Sequence, residues 1–167
     1  MGEKPMTSTT LLQPTPTNPT GPAYRAGAPF RDRLALPGDR GRRMILAGRV
    51  LHPDGRPAST AVLDVWHASS RGLYDLFSRE MRYRGRVRVD GEGRFHVETI
   101  EPHGYLWRPP HVHLKVRIGE EVVLTTQLYL PGHRRLETDP HVRSLLIVRP
   151  EPRDGALEVT YDLILPR

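Results

Sequence analysis

HVHLKVRIGEEVVLTTQLYL, residues 111–130, decides the fold class. Its first half alternates strictly: Val112, Leu114, Val116 and Ile118 fall on one side, and His111, His113, Lys115 and Arg117 on the other. That is the two-residue period of a strand with one apolar face. IGEE (118–121) is a glycine turn, and EVVLTTQLYL (121–130) is a second strand-like run. The same grammar recurs outward in both directions. MILAGRV (44–50), AVLDVWH (61–67), GRVRV (85–89), RFHVETI (94–100), SLLIV (144–148) and LEVTYDLIL (157–165) read as strands. HPDGRP (52–57) and DGEG (90–93) read as turns between them. No stretch carries a three-turn amphipathic helix, and the best short candidate lies around Pro140–Ser144. Short strands at this spacing predict an all-β sandwich of two packed sheets.

The ends and the composition set further bounds. The chain has 167 residues, the size of one domain with a tail. Seven of its 17 prolines fall within the first 37 residues, where neither regular helix nor a central strand fits. The expectation is a disordered tail over 1–20, an arm lying on the domain over 21–43, and a sandwich over 44–167. Mean hydropathy is −0.51, and no apolar run approaches a membrane span. The N-terminus lacks the apolar core of a secretory signal, so a cytoplasmic protein is expected. With no cysteine, thiol nucleophiles and cysteine-ligated metals are excluded. A metal here must use His, Asp, Glu, Tyr or backbone oxygen.

A net charge of +6 raises the question of nucleic acid. All but two of the 25 basic residues, Lys4 and Lys115, are arginines, spread along the chain. The one cluster, Arg82, Arg84, Arg86 and Arg88, alternates with Tyr83, Gly85 and Val87, as a solvated strand face would. A binder of single strands would interleave aromatics with its basic stretch, and only Tyr83 does so; no nucleic-acid partner is expected.

The richest chemistry sits at YLWRPPHVH (105–113). His111 and His113 share one strand face behind a rigid Pro-Pro entry, so the two imidazoles can converge on one metal ion. They lie with Lys115 and Arg117 on what reads as the wetter face. A pair of solvated strand histidines is the competing reading of the same residues.

Taken in order, further segments resemble the intradiol catechol dioxygenases, non-haem iron(III) enzymes. GRVLHPDGRP (48–57), AVLDVWHASSRGLYD (61–75), RGRVRVDGEGRFHVETIEPHGY (84–105), RPPHVHLKV (108–116) and LTTQLYLPG (124–132) are similar to successive family motifs, and TGPAY (20–24) to the element before the domain. The resemblance implies an Fe(III) site held by Tyr74, Tyr105, His111 and His113, with Tyr105 the displaceable ligand. Two phenolates and a hydroxide would neutralise the hard trivalent cation. It further implies a catechol substrate, O2 as co-substrate and a muconate-type diacid product. Arg108 would stabilise negative charge on the ring, Gln127 would be a polar partner beside the iron, and Gly21 and Pro22 would line the substrate pocket. Tyr83 is the rival to Tyr74, which is preferred because it follows Gly72-Leu73 as the family motif requires. Tyr24, Tyr129 and Tyr161 are expected as arm, strand and core residues.

His67 departs from the family's usual Gln after Trp66 and reads as a strand-end histidine. The helical segment through which catechol-type members dimerise is expected to be absent, since the residues before Met44 are mostly proline-rich. The size is nearer a protocatechuate-type subunit, which would act alone or as a homo-oligomer joined through arms. GRVLHPDGRPASTAVLDVW (48–66) also resembles prealbumin-like domains, so a non-catalytic β-sandwich binding or assembly module is the alternative function.

Overall fold

A computed structural model describes residues 10–167. Nine strands form two packed sheets: β1 (Arg43–Leu51), β2 (Ala61–His67), β3 (Arg84–Arg88), β4 (Arg94–Ile100), β5 (His111–Ile118), β6 (Glu121–Tyr129), β7 (Glu151–Arg153), β8 (Ala156–Thr160) and β9 (Leu163–Ile164). The first sheet runs β4-β1-β8-β7, with β9 also pairing β1. The second runs β3-β2-β5-β6. Among the described residues no helix is long and apolar enough to cross a membrane.

The period-two pattern explains the packing. Leu63, Val65, Leu114, Val116, Leu124 and Leu128 of the second sheet are buried with Met44, Leu46, Phe95, Val97, Leu157 and Val159 of the first. Val65 opposes Leu114, and Leu63 opposes Val116, so apolar residues meet across the strands as well as between the sheets. Two expected strands are altered. LEVTYDLIL breaks into β8 and β9, because Tyr161 N–H turns to Ala47 O. Ser144–Leu146 is a 3-10 turn that places Leu146 in the core, and only Ile147 bridges to Tyr129 as a strand would. The short helical turn lies earlier than expected, at Arg134–Glu137.

The larger correction concerns the N-terminal residues. Residues 1–9 of the expected tail lie outside the described residues. Those from Leu12 onward are tied to the sandwich rather than free. Leu12 N–H bonds Pro53 O (2.7 Å), Thr15 N–H bonds Ile164 O (2.9 Å) and Asn18 N–H bonds Thr125 O (2.9 Å). The chain then crosses the second sheet from the β6 edge to the β3 edge. There Phe30 bridges Arg86, and Arg31 and Leu34 press on Gly85. A Cβ at Gly85 would stand 2.7 Å from the backbone oxygen of Arg31, so only glycine admits the arm there. Both edges of the sheet are thereby covered.

Coverage overturns the expected wet face. His111, His113 and Lys115 are all buried, as are Trp66 and Arg84. Tyr24 of the arm lies on Trp66, its ring 5.0 Å away, and Lys115 Nζ sits 3.8 Å from the same Tyr24 ring. The arginine cluster is likewise mixed, with Arg88 exposed and Arg84 almost fully enclosed.

Candidate metal centre and its surroundings

Four side chains converge on the covered face of the second sheet. His111 and His113 project together from β5, and two loop tyrosines come down on them. Tyr74 Oη lies 2.7 Å from His113 Nε2, 3.4 Å from His111 Nε2 and 3.2 Å from Tyr105 Oη, while the two imidazole Nε2 atoms are 3.1 Å apart. Metal–nitrogen and metal–oxygen bonds of about 2 Å put neighbouring ligand atoms about 3 Å apart. The four atoms therefore have the spacing of a coordination shell.

The chemistry of the donors agrees with their spacing. His111 Nδ1–H donates to Pro109 O (2.7 Å), which leaves the Nε2 lone pair facing the centre. Burial, with Arg108 nearby, pulls His111 down to about 4, so the ring is neutral at ordinary pH, as a ligand must be. Burial and the neighbouring His111 hold His113 well below its usual value in the same way. His113 stacks on Trp66 at 4.7 Å and 6°, which fixes its plane. Burial raises the Tyr74 phenol, and the Tyr105 hydroxyl beside it adds to the rise. Ionising that phenol near neutral pH takes a highly charged cation among the donors, and phenolate oxygen suits a hard one. The residues present thus fit an iron(III) ion.

The two tyrosine loops are keyed together at Gly72. Its φ is +76°, and a Cβ there would stand 2.7 Å from Gly104 O and 3.3 Å from Tyr105 Cβ. Arg108 follows Tyr105 and closes a small turn with it through Arg108 N–H to Tyr105 O (2.7 Å). Its guanidinium reaches the Asp139 carboxylate, Gln127 Oε1 and Tyr129 Oη. Gly21 stands at the open side, where an added Cβ would be 3.6 Å from His113 Cε1, and Pro22 follows in an exposed turn. Tyr83 lies elsewhere, its ring packed on His67 at 5.3 Å.

With this geometry, comparison with known proteins is decisive. The sequence profile of the Dioxygenase family matches residues 19–166. The chain belongs to the intradiol catechol dioxygenase family. It is 31% identical over 173 residues to a chlorocatechol 1,2-dioxygenase of Pseudomonas sp. strain P51, covering 88% of this chain and 68% of that protein. It is 32% identical over 149 residues to catechol 1,2-dioxygenase 2 of Acinetobacter lwoffii, covering 75% of this chain and 54% of the relative. The dioxygenase domain of a carbohydrate-binding fusion protein from the cellulolytic Streptomyces sp. SirexAA-E superposes with a TM-score of 0.86 and 31% identity, over 92% of this chain and 98% of that domain. This chain spans about half to two thirds of the length of the two catechol-named relatives.

Two features of this intradiol family member went unread in the sequence, and a third, His67, ends β2 as expected but is buried. Asp139, with its carboxylate fully buried against Arg108, lies in a segment without periodicity, and nothing but its acidity marked it. Arg84 looked like surface, yet it sits opposite Trp66 in the strand register with its Cζ 6.0 Å from the Tyr74 ring. Its Nε–H donates to Asp75 O, the carbonyl next to Tyr74 (3.1 Å). His67 faces the interior of the sandwich. Its Nδ1–H donates to Ala68 O and its Nε2 meets Thr99 Oγ1 of the other sheet, both at 2.7 Å.

The Tyr74 loop is also held from the arm. Arg25 donates to Asp75 O (3.3 Å) and Ser78 O (3.0 Å), and Arg31 donates to Glu80 O (3.0 Å) and Met81 O. Burial opposes ionisation of Asp75, but hydrogen bonds from Ser78, Arg82 and Phe77 prevail and hold its carboxyl at about 2.

Proposed function

We propose that this chain is an iron(III)-dependent intradiol dioxygenase that cleaves a catechol between its two hydroxyl-bearing carbons, placing both atoms of O2 in a cis,cis-muconate-type diacid. The convergence of Tyr74 Oη on Tyr105 Oη and on the Nε2 atoms of His111 and His113, themselves 3.1 Å apart, carries the reading. Those four residues hold the iron. Iron(III) held there would supply a Lewis acid that draws electron density from the oxygens of a catechol.

The protein supplies the rest. Tyr105, on the loop that leads to Arg108, would accept a proton from the incoming catechol at its Oη. Arg108, only 12% exposed at its side chain, places a permanent positive charge beside the ring as negative charge develops there. Trp66 and Tyr24 close the face behind His113 and keep water from that side. The catechol and O2 together contain all atoms of the diacid, so no external reductant is consumed.

The test combines metal content, colour and oxygen uptake. The purified protein is expected to hold one iron per chain and to absorb visible light through tyrosinate-to-iron(III) charge transfer, which dithionite bleaches. With a panel of catechol, protocatechuate, hydroxyquinol and chlorocatechols it takes up one O2 per ring, and mass analysis finds the substrate plus both oxygen atoms. A protein that stays colourless after addition of ferric iron and consumes no oxygen with any of them refutes the assignment.

A further inference from the structure

We propose that Asp139 is a positioning residue for ring cleavage. Together with Gln127 and Tyr129 it fixes the plane of the Arg108 guanidinium, so that this charge stands ready before the substrate arrives. The proposal rests on the reading of the site given above.

The clamp is built from three directions. Asp139 follows the Arg134–Glu137 turn, and its side chain is wholly buried. One carboxylate oxygen accepts Arg108 Nε–H, and the other accepts the His141 backbone N–H at 2.8 Å. On the other side of the guanidinium, Arg108 Nη2 donates to Gln127 Oε1 and reaches Tyr129 Oη at 3.4 Å. Gln127 is itself immobilised. Its Nε2 donates to Pro19 O (3.1 Å) and its backbone N–H to Asn18 Oδ1 (3.0 Å), so Oε1 can only face Arg108 and the Tyr129 hydroxyl, which donates to it at 2.9 Å. Asn18 closes the circuit by donating from Nδ2 to His141 O at 2.8 Å. Both ends of the Gln127 amide are thus engaged by protein, and Gln127 acts on the reaction through Arg108.

Among the described residues Arg108 Nη1 makes no hydrogen bond, while Nε and Nη2 are both held. A guanidinium fixed along one edge presents its remaining nitrogen in a single orientation. Such preorganisation separates a charge that lowers a barrier from one that must first be ordered. Asp suits the position better than Asn because two donors, Arg108 Nε–H and His141 N–H, point at it. An amide offers one acceptor and turns an NH2 group against the other donor.

The test is Asp139→Asn, read four ways. In the iron-loaded protein the expected kcat/KM falls by about 100-fold, the loss typical of a group displaced by about 1 Å. The visible band of the resting protein stays unmoved, because Asp139 touches no ligand of the metal centre, while the melting temperature falls as the buried Arg108 charge loses its partner. A crystal structure of the variant shows Arg108 drawn away from Gln127. Wild-type kcat and KM in D139N, or an Arg108 that has not moved, overturns the proposal. So does loss of the visible band in step with activity, which would mean that Asp139 acts on the metal centre. Should D139N not accumulate as folded protein, Tyr129→Phe removes a contact from the opposite side. It is then expected to lower kcat/KM several-fold at an unchanged resting band, and wild-type kinetics overturns the proposal. If the wild-type protein takes up no oxygen with any catechol, the functional reading falls, while the position of Arg108 in the variant still decides the clamp.

Discussion

The His67 ring makes the sandwich acid-sensitive in a way that can be calculated and isolated. It lies between the two sheets as a neutral tautomer with both nitrogens engaged, by Ala68 O and by Thr99 Oγ1. Burial outweighs the opposing hydrogen bond to Ala68 O and, with a smaller contribution from the Arg84 charge, pulls it from 6.5 to about 4. The unfolded chain therefore binds a proton at this site at a pH where the folded chain does not. Stability contributed by neutral His67 is complete above the unfolded value and is lost as pH falls through 6.5 toward 4. The total is about 3 kcal/mol, of which about 2 kcal/mol is gone by pH 5.

Replacing His67 with Gln, the residue usual at this place in the resembling family, keeps a donor and an acceptor between Ala68 and Thr99 but removes the titration. Urea unfolding of iron-stripped wild type and His67→Gln at pH 7 and pH 5 measures the effect. His111 and His113 titrate in both proteins and cancel in the comparison. Wild type is expected to lose about 2 kcal/mol more than the variant between the two pH values. Equal losses would show that His67 does not carry this sensitivity and would refute the reasoning.

Three further outcomes follow from the geometry. Gly72→Ala puts a methyl group 2.7 Å from Gly104 O at a φ of +76°, so it is expected to cost about 2 kcal/mol in thermal unfolding and to part the two tyrosines, weakening the visible band. Tyr74→Phe removes the oxygen shared by three contacts at the centre; iron analysis is expected to find it metal-poor, whereas Tyr83→Phe keeps its iron. Asn18→Ala leaves the buried Gln127 N–H without its acceptor and frees His141 O, which lowers stability by about 2 kcal/mol in denaturant titration.

Much of this molecule is legible from residue order because its strands obey one rule. AVLDVWH, RFHVETI and HVHLKVRI form strands over the residues their alternation marks, since an apolar face repeated every second residue has only one way to be buried. The pairing of His111 with His113 was legible for the same reason. Their burial was not, because a strand's alternation says which face is apolar and nothing of what else covers the other. Here the cover is an irregular arm whose hold is made of single backbone bonds from Leu12, Thr15 and Asn18, a pattern without period. Arg84 misled in the same way, as the arm and the Tyr74 loop enclose a position that alternation assigns to solvent. Asp139 was invisible because its meaning lies in Arg108, 31 residues away along the chain.

Thr15 ties the beginning of the described chain to its last strand, its Oγ1 accepting from the Ile164 N–H 149 positions along the sequence. Its other holds also join residues far apart in the sequence: Asn18 bonds Thr125 and Gln127, and Arg25 bonds Asp75 and Ser78. Contacts of such long range form late in folding. The cover over His113, the clamp through Asn18 and the anchoring of the Tyr74 loop by Arg25 are all contacts of this kind. β5 can therefore form and present both histidines while the site over them is still open, and docking of the arm is what closes the candidate metal centre.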